Sequence, residues 1–382
     1  MSAGAPSASD AIGLSRANLV RAVRLPRSRT ASGVIPAHWP TDVRSRRANG
    51  YLSRGPMCRV SRLDARSRAH YVRSVIELIV DSMDTAAIAR IRNAVVRWIL
   101  IEPETIEHFR ATMSGYRDWL ALLDGEPIGV GVCARIAGME ESAAAFAVNC
   151  VLPEGRGQGV GTAVYRQVSA HARSLGKSEL ELFGFEDDPG GVRFAEHHGF
   201  VVAYRARGLR LVLDGCPRPS LDLTENVAIT NLAERPELAR VVWETLCEAM
   251  PDIPYDGDVP MSPGSFEEFS ARRLAGPRHI PEATFIAISQ AEVVGLGQLG
   301  WMDRASGIAE HEMLAVRRSW RGRGLGKALK AAQIIWALDN GLSELRTGNE
   351  ERNAPARAVN ANFPYTPLPD GLLYRGPLAA PT

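Results

Sequence analysis

Two glycine-rich hexapeptides carry the residue types in this chain that could bind a phosphate group. They are Arg156–Gly161 and, 165 residues later, Arg321–Gly326, and each follows an apolar run and precedes a helix-like stretch. Glycines let consecutive backbone N–H groups turn toward one point, and the N-terminus of the following helix adds its positive dipole. The sequence therefore predicts one pyrophosphate-binding loop that occurs twice.

The loops differ from two common nucleotide-binding motifs. A Walker A loop ends a longer spacing with Gly-Lys-Ser/Thr, whereas Gly161 is followed by Thr162 and Gly326 by Lys327. A Rossmann fingerprint spaces its glycines as GxGxxG, whereas these fall as GxGxG behind an arginine. The Walker motif is excluded, and the Rossmann motif is only weakly supported.

The pattern Arg-Gly-x-Gly-x-Gly between a strand and a helix closely resembles the acetyl-CoA loop of the GCN5-related N-acetyltransferase (GNAT) family. The resemblance implies a mixed α/β protein with two tandem acyl-CoA N-acyltransferase domains, each a mixed twisted sheet flanked by helices. It also implies acetyl-CoA as co-substrate and direct acetyl transfer to an amine. The residues predicted to bind acetyl-CoA are Val151, Arg156, Gly157, Gln158, Gly159, Val160, Gly161 and Thr162 in the first copy, and Val316, Arg321, Gly322, Arg323, Gly324, Leu325, Gly326, Lys327, Asn349 and Asn353 in the second.

A catalytic base is required because an ammonium group has no lone pair with which to attack. The strand before the second loop contains Glu310 and Glu312, which face one side of a strand, while His311 faces the other. Constant spacing makes Ala145 and Ala147 their counterparts in the first copy. We therefore predict that the second copy is catalytic through Glu310 or Glu312. Solvated charges on a strand face are the alternative.

Two further alternatives concern the catalytic groups. A base for the first copy could come from the segment that would cover its substrate side, which contains Glu102, Glu104, Glu107 and His108. Asn349 and Asn353 could cap a helix instead of binding the cofactor.

The general acid departs from the family pattern. Where many relatives have a thiolate-protonating Tyr, this chain has Ala195 and Asn360. Tyr365 is the predicted acid, with Tyr255 or water as alternatives. Pro364 replaces the usual glycine before the last aromatic residue, so the final turn of the second copy also departs from the family.

The loops recur together with their surroundings, which indicates a duplicated domain. We predict domains at residues 71–214 and 220–382, joined by a linker at residues 215–219 that contains Gly and Pro. Residues 1–70 are rich in Arg and Ser, lack hydrophobic periodicity and are predicted to be disordered. A tail without function or translation from an upstream start codon is favoured over a basic binding tail or a targeting peptide.

The elements that must position the loops are predicted from hydrophobic periodicity. Strands are expected at Ala143–Leu152 and Ile308–Val316 before the loops, and helices at Thr162–Leu175 and Lys327–Asn340 after them. Each half otherwise repeats the order strand, two helices and two strands upstream of these elements, and strand, helix and closing strands downstream.

Composition limits the partners of this chain. With 382 residues, 45% of them hydrophobic, it can form two cores, and the net charge of +2 argues against nucleic-acid binding by bulk electrostatics. Five scattered cysteines without metal-ligand spacing favour reduced thiols in a cytoplasm and no metal. No apolar run reaches 18 residues, so no membrane partner is expected. A monomer and a homodimer both remain open.

The acceptor is predicted to be a small-molecule amine. Its identity cannot be inferred, because the covering segments Glu102–Tyr116 and Asp252–Arg273 carry mixed charge. The alternatives are an enzyme similar to mycothiol synthase, another tandem acetyltransferase, and a non-catalytic acyl-CoA-binding or regulatory protein. The missing Tyr acids and Pro364 favour the last of these.

Overall fold

The computed structural model describes residues 58–61, 74–223 and 226–381. The described part of the segment predicted to be disordered, residues 1–70, is the strand β1 (Cys58–Ser61), which pairs with β2 (Val75–Val80). The rest of that prediction lies outside the described residues. No helix in the described part of the chain is long and apolar enough to cross a membrane.

The described elements form two repeats with the same order. The N-terminal repeat contains β1, β2, α1 (Thr85–Val95), α2 (Pro103–Thr112), β3 (Arg117–Leu123), β4 (Glu126–Arg135), β5 (Ala144–Val151), α3 (Val160–Ser174), β6 (Glu179–Phe185), α4 (Pro189–His197) and β7 (Val201–Val212). The C-terminal repeat contains β8 (Val227–Asn231), α5 (Ala239–Ala249), α6 (Phe266–Phe269), a π-helical turn (Ser270–Leu274), β9 (His279–Ser289), β10 (Glu292–Asp303), β11 (Ile308–Val316), α7 (Leu325–Asp339), β12 (Glu344–Glu350), α8 (Ala354–Asn360), β13 (Thr366–Pro367) and β14 (Gly371–Pro377). The prediction of a mixed α/β protein is confirmed.

One sheet runs through both repeats. Its order is β1-β2-β3-β4-β5-β6-β14-β7-β12-β11-β10-β9-β8, with β13 paired to β7. The pairs β5–β6 and β11–β12 are parallel, and the other pairs are antiparallel. In each repeat the phosphate loop follows the first strand of the parallel pair. Because β5 and β11 run in opposite directions within the one sheet, the two loops lie at opposite edges of it.

The two repeats exchange strands. The C-terminal strand β14 lies between β6 and β7 of the N-terminal repeat, and the second half of β7 pairs with β12 of the C-terminal repeat. Backbone hydrogen bonds therefore make each half depend on the other. The domain bounds remain a prediction, and a cut at residues 215–219 would separate β14 from both of its partner strands.

Trp98 packs where the two repeats meet. Its ring contacts Phe183 and Phe185 at centroid distances of 5.7 and 5.5 Å. The indole also covers one glycine on each of three strands, which are Gly208, Gly348 and Gly371. A Cβ atom at Gly208 would lie 2.1 Å from the ring, so this strand must have glycine for the indole to fit.

Replacing Trp98 with Ala is expected to lower the free energy of unfolding by about 3–5 kcal/mol, because it leaves a cavity over three glycines. Urea denaturation followed by circular dichroism measures this loss. The control is Met83→Ala, since Met83 is 81% exposed and its truncation should change stability by less than about 0.5 kcal/mol. Equal stabilities of the two variants would contradict a central packing role for Trp98.

Candidate functional site

The two predicted loops have the same backbone conformation. Gly157 and Gly159 have φ angles of 74° and 92°, and Gly322 and Gly324 have φ angles of 75° and 80°. This left-handed region is one that residues with a Cβ rarely adopt. Among the described residues, nothing lies within 4 Å of a Cβ atom built at Gly157, Gly322 or Gly324. The space beside both loops is therefore open to a ligand.

Each loop leads directly into a helix. Gly159 is the N-cap of α3 and Gly324 is the N-cap of α7. Because glycine has no side chain, it cannot cap the first backbone N–H groups of the helix, and these groups point toward the open space. Uncapped N–H groups and the helix dipole together fit a pyrophosphate. Both loops are thus suited to hold the phosphates of a nucleotide cofactor.

Arg156 and Arg321, the first residues of the two loops, make the same contacts in both copies. In both copies the arginine donates from Nε to the last carbonyl of the preceding strand and pairs with an aspartate. The contacts are Arg156 with Val151 O (3.1 Å) and Asp188 (2.7 Å), and Arg321 with Val316 O (3.0 Å) and Asp252 (2.7 Å). These side chains hold the loop against its strand, so a pyrophosphate would meet mainly backbone groups.

A cavity lies beside the N-terminal loop where two parallel strands separate. The pairing of β5 with β6 ends at Ala147 and Leu182, and the cavity of about 1060 Å³ extends from there to the loop, α4 and Tyr374. Asn149 lines it and donates from Nδ2 to Gly161 O at 3.0 Å. Its volume matches that of ordinary cofactor sites.

The C-terminal cleft contains a β-bulge. In the pairing of β10 with β11, Gln298 lies opposite Met313 and Leu299 opposite His311, so Glu312 is an extra residue. The pairing of β4 with β5 has no such shift. A bulge leaves one residue out of the ladder and bends the strand.

The bulge changes which residues correspond between the repeats. Gly300 lies opposite Glu310, and its counterpart Ala134 lies opposite Phe146. The structural counterpart of Glu310 is therefore Phe146, and constant spacing, which predicts Ala145, is wrong upstream of the bulge. An aromatic side chain occupies the position in the N-terminal repeat where the C-terminal repeat has a carboxylate.

Glu310 and Glu312 face the same side of β11 and share an arginine. Arg278 Nη2 lies 2.8 Å from Glu310 Oε2 and 3.1 Å from Glu312 Oε1. Arg273 is 3.4 Å from Glu312. The side chains of the two glutamates are 20% and 8% exposed, so they are not solvated surface charges.

Glu310 lies where β11 and β12 begin to separate. Its pairing with Arg346 is the last one between these strands. Burial raises the pKa of Glu310 above its usual 4.5, and the nearby Glu312 acts in the same direction while Arg278 opposes it. A partly buried carboxylate with a raised pKa, at the point where two strands separate, is a stronger base than an exposed one.

The predicted acid, Tyr365, lies on the other side of β11. Its hydroxyl is 2.7 Å from His311 Nε2, and His311 Nδ1 is 2.9 Å from Gln333 Oε1 on α7. Burial raises the pKa of Tyr365 and lowers that of His311. The structure therefore separates Tyr365 from Glu310 by the thickness of the sheet.

Lys330 is a buried group that the sequence interpretation missed. It is 3% exposed, and its ammonium donates to Asn360 Oδ1, while Asn360 Nδ2 donates to Asn349 Oδ1. These two hydrogen bonds link the core to the cleft, because Gly184 and Ala195, the counterparts of Asn349 and Asn360, line the cavity of the other repeat. A lysine within the apolar run Ala328–Ala332 was the available signal.

The two predicted cofactor asparagines differ in their local roles. Asn353 accepts a hydrogen bond from Ala356 N at 3.2 Å and caps α8. Asn349 lies in β12 and bonds to Asn360 instead of capping a helix. Asn349 therefore keeps its place beside the cleft, whereas capping accounts for Asn353 without a ligand.

Burial lowers the pKa of Lys330 to about 7, which predicts a specific pH dependence of stability. Above pH about 7 the folded protein releases a proton that the unfolded chain retains up to about its usual pKa of 10.5, so rising pH favours the folded state. The stability of Lys330→Met should lack this gain. As the pH rises above 7, the unfolding free energy of wild type should increase relative to that of the variant by up to about 1.4 kcal/mol per pH unit. Urea denaturation at several pH values above 7 measures it, and a pH-independent difference would contradict a neutralised Lys330.

Each repeat covers one face of the other. Tyr255 donates to Glu181 on β6 at 2.5 Å, and Asp258 accepts from Ser142 Oγ at 2.6 Å, so a segment after α5 lies over the N-terminal repeat. Burial raises the pKa of Glu181, a second carboxylate that sequence reasoning missed. The hydrogen bond from Tyr255 engages the carboxylate of Glu181, which is therefore not free to act as a base.

The segment that was the alternative source of a base for the first copy, residues 102–108, lies over the C-terminal repeat. Glu102 pairs with Arg304, and His108 Nε2 is 2.9 Å from Arg272 O. Glu104 and Glu107 are exposed on α2. These four side chains therefore are not gathered at the N-terminal cleft, and two of them join α2 to the other repeat.

Comparisons with known proteins agree with this geometry. A family model described as the acetyltransferase (GNAT) family matches residues 87–200 and 243–361. Similar curated proteins include a mycothiol acetyltransferase from Nocardioides sp., 26% identical over 66% of this chain and 86% of the relative. Another mycothiol acetyltransferase, from Clavibacter michiganensis subsp. michiganensis, is 31% identical over 64% of this chain and 76% of the relative.

Solved structures with the same fold were also found. A tandem GNAT protein from the clavulanic acid biosynthesis pathway covers 80% of this chain and 100% of its own, with 18% identity and a TM-score of 0.63. A GCN5-related N-acetyltransferase from Sphaerobacter thermophilus covers 80% and 97%, with 18% identity and a TM-score of 0.59. These likenesses show the fold of two tandem domains.

Proposed function

Because the chain belongs to the acetyltransferase (GNAT) family, we propose that it moves the acetyl group of acetyl-CoA to a primary amine of a small molecule, and that the C-terminal repeat performs the transfer. The observation that carries this proposal is the partly buried carboxylate of Glu310 at the point where β11 and β12 separate. The N-terminal repeat has Phe146 at the same place.

Acetyl-CoA, when bound, supplies a thioester whose acetyl carbon is the electrophile. Glu310 takes the proton from the substrate ammonium, and the free amine then forms an N–C bond as the C–S bond breaks. Arg278 and Glu312 hold the Glu310 carboxylate in position. Asn349 and Asn360 offer amide groups to the pantetheine arm, and Lys330 orients Asn360.

The amine gives up a second proton as the amide forms, and this proton is assigned to the departing thiolate through water, because Tyr365 lies across the sheet from Glu310. The phenol of Tyr365 is bonded to His311, whose pKa is lowered by burial, so this pair is assigned a structural role. Burial also raises the pKa of Tyr365, so the phenol carries its proton at neutral pH.

The N-terminal repeat is proposed to bind acetyl-CoA without catalysing transfer. Its loop and its cavity of about 1060 Å³ suit the cofactor, while Tyr255 and Asp258 cover the face from which an acceptor would approach. A bound cofactor there would stabilise the folded protein by mass action.

A mycothiol-related amine is a second candidate for the acceptor. It is supported by the names of the similar curated proteins, one of which shares 31% identity with this chain. A small-molecule amine of another kind fits the same catalytic groups.

Turnover measurements would test the proposal. The full chain is incubated with acetyl-CoA and a panel of amines that includes a mycothiol-related amine, and thiol release and acetylated product are followed. We expect at least one amine to accelerate thiol release in proportion to product. Tight binding of acetyl-CoA without acceleration by any amine would favour the non-catalytic alternative.

A further inference from the structure

A second cavity lies beside the glutamates of the C-terminal repeat. It has a volume of about 210 Å³ and is enclosed by α2 of the N-terminal repeat and by the π-helical turn and the loop that precede β9. His108 joins these two walls through its bond to Arg272 O. The cavity is smaller than those that hold drug-sized ligands, so it would take a small molecule.

The lining of this cavity carries excess positive charge. Arg272, Arg273 and Arg278 line it together with the carboxylate of Glu312. Arg278 and Arg273 pair with the two glutamates. Arg272 donates to Pro263 O at 3.3 Å and forms no ion pair with a carboxylate of the described ranges, while Glu140 and Glu268 act on its charge from a greater distance.

A neutral hydrogen-bonding group completes the lining. Thr105 is 1% exposed, and its hydroxyl oxygen has no hydrogen-bond partner among the described residues. A buried hydroxyl without a partner costs free energy, which a ligand oxygen would recover. A planar guanidinium beside a hydroxyl is the donor set that recognises a carboxylate.

We propose that the acceptor of the C-terminal repeat is a small amine that also carries an anionic group, and that this group binds Arg272 and Thr105 in the second cavity while the amine faces Glu312 and Glu310. This inference rests on the proposed acetyl transfer, because it names the substrate class of the same site. Arg272 is a binding residue in it and takes no part in proton transfer.

Two acceptors that differ in one group test the inference. β-Alanine and the amino alcohol 3-aminopropan-1-ol have primary amines on the same carbon chain, but only β-alanine has a carboxylate. We expect kcat/KM to be higher for β-alanine. Arg272→Gln should raise the KM for β-alanine by about 10–100-fold, the usual worth of a charge-assisted hydrogen bond, and should leave the KM for the amino alcohol unchanged.

The controls keep the outcome interpretable. Arg272→Lys should retain part of the preference, and Arg90→Gln, a change at an exposed arginine on α1, should retain all of it. Unchanged binding of acetyl-CoA shows that the variants are folded. Equal or better use of the amino alcohol by wild type, or no effect of Arg272→Gln, would overturn the inference while acetyl transfer stands.

A binding measurement separates this inference from the proposed function. Saturation-transfer NMR on the full chain should detect β-alanine with wild type and not with Arg272→Gln, whether or not turnover occurs. If no amine is acetylated but this difference is seen, the proposed function fails and the anion site stands. If wild type and variant give the same signal, the site is refuted.

Discussion

Replacing Glu310 with Gln is expected to lower kcat by about 10²–10⁴-fold, the usual contribution of general acid–base catalysis. Glutamine keeps the size of the side chain and a hydrogen bond to Arg278 but cannot accept the ammonium proton. The KM for acetyl-CoA should remain nearly unchanged, since Glu310 is not part of the loop. Steady-state thiol release with saturating amine measures both quantities.

Glu312→Gln provides the matched comparison. Glu312 is the extra residue of the bulge and shares Arg278 with Glu310, so its loss should disturb the position of Glu310 without removing the base. We expect a decrease in kcat smaller than that of Glu310→Gln. If both variants stay active while Gly159→Val stops acetyl transfer in a folded protein, the active site lies in the N-terminal repeat.

Replacing Gly324 with Val is expected to abolish acetyl-CoA binding at the C-terminal loop and with it turnover. At a φ of 80° a β-branched residue is strained, and its side chain would project into the space where the pyrophosphate is expected. Isothermal titration calorimetry should find two acetyl-CoA sites in wild type and one in this variant.

Gly159→Val should remove the other site and leave turnover within a few fold. Gly215→Val is the matched control, because Gly215 also has a positive φ, of 67°, and open space around it but lies outside both loops. That variant reports the effect of backbone strain alone on stability. A single site in wild type would refute the prediction that both loops bind the cofactor.

Local patterns in the sequence were sufficient to predict the loops and the elements around them. The strand predicted at Ile308–Val316 matches β11 at both ends, and the helix predicted at Lys327–Asn340 matches α7 to within two residues. Such features depend on hydrophobic periodicity and on glycine conformation, which neighbouring residues determine. The resemblance to the GNAT family rested on the same local pattern, and the family match confirmed it.

Relations between distant residues could not be read from those patterns. Constant spacing made Ala145 the counterpart of Glu310, but the bulge at Glu312 makes it Phe146. A bulge is visible only in the pairing with β10, which depends on residues far along the chain. For the same reason the sequence placed two carboxylates on one face without indicating that Arg278 joins them.

The sequence by itself determined that this protein has two phosphate loops on two similar α/β repeats, because glycine spacing and hydrophobic periodicity act over a few residues. Only the tertiary structure decided that β14 completes the sheet of the N-terminal repeat and that α2 closes a cavity beside Glu312 in the C-terminal repeat. Strand exchange and cavity formation bring together residues that are far apart in the chain. They follow from which surfaces are buried against each other, and no local pattern specifies that choice.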